Sequence, residues 1–171
     1  VTRIAPSFIR FGHFEYLYHT GRHEQLAPLA DFLIARHFPE CRAAENPYFA
    51  LFQEIARRSA ELVAAWQAVG FCHGVLNTDN LSVLGLTIDY GPYGFLDAFD
   101  PHHICNHSDH QGRYAYHAQP SVVQWNLSCL ASCFLPFATE DELVAVLNDY
   151  VAIYKQAYLQ NMCAKLGLER P

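Results

Sequence analysis

Phe71-Cys72-His73-Gly74-Val75-Leu76-Asn77-Thr78-Asp79-Asn80, then Leu81-Ser82-Val83-Leu84-Gly85-Leu86-Thr87-Ile88, then Asp89-Tyr90-Gly91-Pro92: this run decides the reading of the chain. A helical pattern stops just ahead of it at Gly70. The first part is a polar loop. The second is two short apolar runs around Gly85, a pattern that predicts a tight β-hairpin. The third opens on Asp-x-Gly. Asn80 and Asp89 lie nine residues apart, and a hairpin between them would fold one back towards the other. An amide carbonyl and a carboxylate are hard oxygen donors of the kind Mg²⁺ takes. The two residues are therefore the candidate metal ligands.

Taken together, a loop with Asp and Asn, a hairpin and Asp-x-Gly resemble the metal-binding half of a kinase-type site. In protein kinases a catalytic-loop Asn and a DFG Asp hold the ions, and a second loop Asp receives the hydroxyl proton. Related small-molecule kinases read His-Gly-Asp, four residues, then Asn. Here the register holds, but His73-Gly74 is followed by Val75, which cannot take a proton. Asp79 is the only acid left in the loop, so it is the candidate catalytic base.

HGVLNTDN (73–80), LGLTIDYGPYGFLDAFDP (84–101) and ICNHSDHQGRY (104–114) resemble the selenoprotein O family. The resemblance runs from Thr2 to at least Pro136. It implies a mainly α, protein-kinase-like C-lobe with a short β-hairpin, once classed as a pseudokinase. It also implies transfer of AMP from ATP, bound in an inverted orientation, to Ser, Thr or Tyr hydroxyls of protein substrates. Mg²⁺ or Mn²⁺ would sit on Asn80 and Asp89, with Asp89 also on the nucleotide side. The family's RxAxSxxRxGxFE pattern is met at Arg3, Ala5, Ser7, Arg10, Gly12, Phe14 and Glu15. Both its arginines contact ATP phosphates, which assigns Arg3 and Arg10 to that role. Spacing alone would leave them surface or ion-pair arginines, although a guanidinium fork suits phosphate oxygens. The expected location is the cytoplasm in a bacterium and the mitochondrion in a eukaryote.

Kinase-like enzymes also need a glycine-rich cover and an N-lobe lysine, and neither pattern occurs here. The chain opens on Val1-Thr2-Arg3. The expectation is one C-lobe unit over residues 1–171, excised from a longer protein, without the N-lobe and the family's redox-active C-terminal Cys or selenocysteine. Such a piece should bind ATP weakly or not at all and be inactive alone.

Composition agrees with a folded domain. Of the 171 residues, 51% are hydrophobic, enough to bury a core. The net charge of −6 carries no electrostatic footprint for nucleic acid, and no apolar run is long enough to cross a membrane. Six cysteines without a CxxC pair read as reduced, mostly buried thiols. The sequons at Asn80, Asn106 and Asn126 read as chance.

Helical periodicity predicts helices over 22–38, 47–69, 119–135 and 139–167. Asn46-Pro47 would start the second and Gly70 end it. Thr139-x-x-Glu142 is a capping box for the last. Trp125 falls on the predicted core face of the third. Residues 1–15 read as irregular, broken by Pro6 and Gly12. His73 is expected to brace the loop through hydrogen bonds, and Asp97 and Asp100 to be structural or substrate-facing.

Two rivals remain. A nucleotide-binding pseudokinase scaffold without catalysis fits Val75. A zinc module fits His103, Cys105 and His107 within His102–His110, although the spacing matches no standard zinc motif.

Overall fold

The computed structural model describes residues 2–168. Five α-helices dominate: α1 (Phe11–His19), α2 (Leu26–His37), α3 (Pro47–Val69), α4 (Gln119–Phe134) and α5 (Glu140–Leu166). The one sheet among the described residues pairs β1 (Phe71–Cys72) with β2 (Gly94–Phe95), antiparallel, with Phe71 opposite Phe95.

The central element is α3. Asn46 caps it by accepting from the Phe49 N–H at 3.1 Å, Pro47 occupies its first turn, and Gly70 closes it in the left-handed region at φ 71°. Those three residues fix its length at both ends. Its buried face alternates large and small: Leu51, Phe52, Ile55, Ala56, Ser59, Ala60, Val63 and Ala64. The small residues let α5 lie along it. Phe52, Phe134 and Phe14 pack with tilted rings, centroids 5.3–5.4 Å apart, which joins α3, α4 and α1 in one aromatic knot. Thr139 and Glu142 form the expected capping box of α5. The Tyr150 hydroxyl donates to the Pro120 carbonyl at 2.9 Å and ties α5 to the start of α4.

Three expectations need correction. Residues 11–19 are a helix, not an irregular segment. Gly12 lowers its propensity, but Phe11 and Phe14 are wholly buried and anchor it in the core. The hairpin over 81–88 shrinks to a single bridge, Leu81 to Thr87. Each apolar run is too short to build a ladder, and Ser82 pairs with Arg10 instead. Gly85 still turns the chain at φ 66°, where an added Cβ would stand 2.7 Å from Arg58 Cβ, so the turn rests directly on α3. Trp125 is 53% exposed, not core. The Arg113 guanidinium stacks on it at 4.8 Å, an interaction that periodicity cannot foresee.

Candidate active site

The loop after β1 is held from below by α4. Gln119, fully buried, accepts from the His73 N–H at 2.8 Å and donates to the Phe71 carbonyl at 2.9 Å. Asn126, also fully buried, donates to the Leu76 carbonyl at 2.8 Å. These two amides replace the sheet partners that a two-residue strand lacks, since buried backbone groups must be paired somewhere. Their burial also makes Asn126 useless as a glycan acceptor. Sequence reasoning assigns neither amide a role, although a signal exists: two polar residues seven apart on the apolar face of a predicted helix. Above the loop, Asn106 donates to the Gly74 carbonyl at 3.1 Å, and the Tyr114 hydroxyl donates to Asn77 Oδ1 at 2.6 Å.

Gly74 has no alternative residue. Its φ is 82°, and a Cβ there would lie 2.8 Å from Cys105 Sγ and 3.0 Å from Pro92 Cγ. Gly74→Ala should therefore destabilise the protein by about 2–4 kcal/mol, left-handed strain and overpacking acting together. A denaturant midpoint unchanged from wild type would contradict this packing.

The loop ends in a 3₁₀ turn, Thr78–Asn80. The segment before α1 is stitched alongside residues 81–83: Phe11 N–H donates to the Leu81 carbonyl at 3.1 Å and Val83 N–H to the Ile9 carbonyl at 3.2 Å. The N-terminal arginines thereby reach the loop across some 70 residues of sequence. The Asn80 amide donates directly to Asp89 Oδ2. Arg3 donates to the Ile88 carbonyl, and its Nη1 lies 3.6 Å from Asp89 Oδ1. Arg3, Asp89, Tyr90, Gly91 and Tyr93 line one cavity of about 500 Å³. Arg10 is held by its backbone beside Ser82, with Nε buried and without a hydrogen-bond partner. Asp79 does not touch Asn80's partner. Its carboxylate is exposed and lies against the first turn of α1, where Gly12 leaves the room. The structure thus brings Asn80, Asp89 and Arg3 into contact, with Asp79 against Gly12 and Arg10 beside Ser82 outside that contact.

Fit to a metal can be judged from the donors. Among the described residues no three His, Cys, Asp or Glu side chains converge as a metal cage. Asn80 and Asp89 supply two oxygen-bearing groups, too few for a resident ion and suited to one that arrives on nucleotide phosphates. The zinc alternative finds no such support: Cys105 Sγ donates to the Cys72 carbonyl at 3.3 Å, and burial pushes its thiol up to about 12. Asp100 and Asp109 serve turns, accepting from the backbone N–H groups of His102 and of Arg113 and Tyr114. Asp97 lines a separate cleft with Phe99 and Lys165.

His73 does not brace the loop through its ring. It is 1% exposed, packed on Trp66 and Phe71, and neither ring nitrogen has a partner. Burial lowers its pKa below the ordinary 6.5, with the Asp89 charge opposing. The unfolded chain therefore takes up the proton first, and stability drains away as pH falls below about 6.5. His73→Phe removes both unpaired nitrogens. Its melting temperature should vary less than wild type's between pH 7 and 5, and a parallel pH profile would refute the assignment.

The family profile described as "Protein adenylyltransferase SelO" matches residues 1–171. "Protein nucleotidyltransferase YdiU" of Pseudomonas aeruginosa PAO1 is 54% identical over 166 residues, 97% of this chain and 34% of the relative. The protein of that name in Albidiferax ferrireducens is 58% identical over 173 residues, covering 98% and 35%. That of Variovorax paradoxus is 54% identical over 176 residues, covering 100% and 36%. The chain spans about a third of the length of the curated relatives it matches. With a match from end to end and identity this high, the chain belongs to the SelO family.

Proposed function

We propose that this chain is the kinase-like C-lobe of a protein that transfers AMP from ATP to Ser, Thr or Tyr hydroxyls of other proteins. The observation that carries the reading is the contact of Asn80 and Arg3 with Asp89, beside an open Asp79, in a chain of the SelO family. Arg3 and Arg10 orient the phosphates and offset their charge. Asn80 and Asp89 hold Mg²⁺ or Mn²⁺, which when bound neutralises charge on the phosphate oxygens. Asp79 takes the proton of the acceptor hydroxyl. The hydroxyl oxygen bonds to the α-phosphorus as the bond to the β-phosphate oxygen breaks, and pyrophosphate leaves. Such transfer rests on positioning and charge stabilisation.

Incubation of the full-length protein with ATP and a bacterial lysate, followed by mass spectrometry, tests this. Acceptor hydroxyls should gain AMP. Gain of phosphate alone would make the protein a conventional kinase. Nucleotide bound with no modification would favour the scaffold reading, for which Val75 in the place of the usual acid is the argument. The 171 residues alone should show no calorimetric ATP binding in the micromolar range, because the phosphate cover is not among them. Tight binding by the isolated chain would show that the C-lobe suffices. The bacterial relatives favour a cytoplasmic setting, and no described helix is long and apolar enough to cross a membrane.

A further inference from the structure

We infer that the outer face of α1 is the acceptor-protein subsite, and that Glu15 selects acceptors with a basic residue near the modified hydroxyl. This rests on the AMP-transfer reading above. Phe11 and Phe14 turn one face of α1 into the core. Gly12, Glu15, Tyr16 and His19 recur at i, i+3, i+4 and i+7, which is a single stripe flanking that buried face. That stripe and the Thr78–Asp79 turn line a groove of about 340 Å³.

The head of the groove is the candidate base itself. An added Cβ on Gly12 would stand 1.9 Å from Asp79 Oδ1, so the helix begins where the carboxylate lies. On its other side the loop continues to Asn80 and the Arg3–Asp89 cavity, which belongs to nucleotide and metal. An acceptor hydroxyl must reach Asp79 without crossing the phosphates. The groove is the open approach.

Glu15 is half-buried in the groove and makes no ion pair among the described residues. At the far end Tyr16 is 55% exposed, with the Arg22 guanidinium 5.5 Å over its ring. From Gly12 to Glu15 the helix rises about 4.5 Å, and an extended peptide rises about 3.3 Å per residue. A Lys or Arg one or two positions from the acceptor hydroxyl would then meet Glu15. The occupant is an extended segment of the acceptor protein with that charge.

The test uses full-length protein, α-phosphate-labelled ATP and matched synthetic peptides. Each has one acceptor hydroxyl with Lys or Glu at the two positions on either side. Wild type should favour the Lys peptides about threefold to fivefold in kcat/KM, the scale of a partly exposed ion pair. Glu15→Gln should erase the preference and Glu15→Lys should reverse it. Equal preference in all three proteins, with transfer intact, would overturn the groove assignment and leave AMP transfer standing. Absence of transfer to any peptide and to lysate proteins alike would overturn both.

Discussion

Asp89→Ala in the full-length protein should abolish AMP transfer. We expect a loss of about a thousandfold or more, since one carboxylate is asked to meet the metal, the Asn80 amide and the Arg3 guanidinium at once. Removing one such group from a site that works by charge placement costs more than a single contact. The fold should survive. Asp89 is partly exposed and lies outside the core built by α1, α3, α4 and α5. Radiolabel transfer to lysate proteins measures the effect, with a melting curve as the control. A variant that folds and retains a tenth of wild-type transfer would remove Asp89 from the centre of the mechanism.

Asp79→Asn should separate chemistry from binding. General-base catalysis is worth about 10²–10⁴-fold, so kcat should fall by that range while the affinity for metal-bound ATP stays close to wild type. Gly12→Ala offers an independent route to the same defect. Its Cβ would collide with Asp79 Oδ1 at 1.9 Å, and the carboxylate must swing away from the helix to make room. A loss of kcat in Gly12→Ala as well would tie the defect to where the acid points. If Asp79→Asn keeps full turnover, the proton goes to another group and Asp79 is not the base.

How far the sequence can be read depends on which forces are local. The bounds of α3 and α5 come from caps, Asn46-Pro47 with Gly70 and Thr139 with Glu142, and the structure has them there. Cap chemistry is decided by neighbours in sequence, so it is legible. The helix at 11–19 is not, because its stability comes from Phe11 and Phe14 in a distant core and its Gly12 from a contact with residue 79. The 81–88 hairpin fails for the same reason: Ser82 finds its partner at Arg10, which lies far away in the chain. At the site, the nine-residue spacing of Asn80 and Asp89 anticipates their contact. Gln119 and Asn126, which hold the loop in place, show in the sequence only as polar residues on an apolar helix face, because their partners are backbone atoms with no sequence signature.

Above all, the contact of Asn80 and Arg3 with Asp89, beside Asp79, should serve attack on the α-phosphorus of ATP. Parallel reactions of the full-length protein with α-phosphate-labelled and γ-phosphate-labelled ATP address this most directly. The account predicts acceptor protein labelled from the α-labelled nucleotide, none from the γ-labelled one, and neither with Asp89→Ala. Label arriving from the γ-position would contradict it.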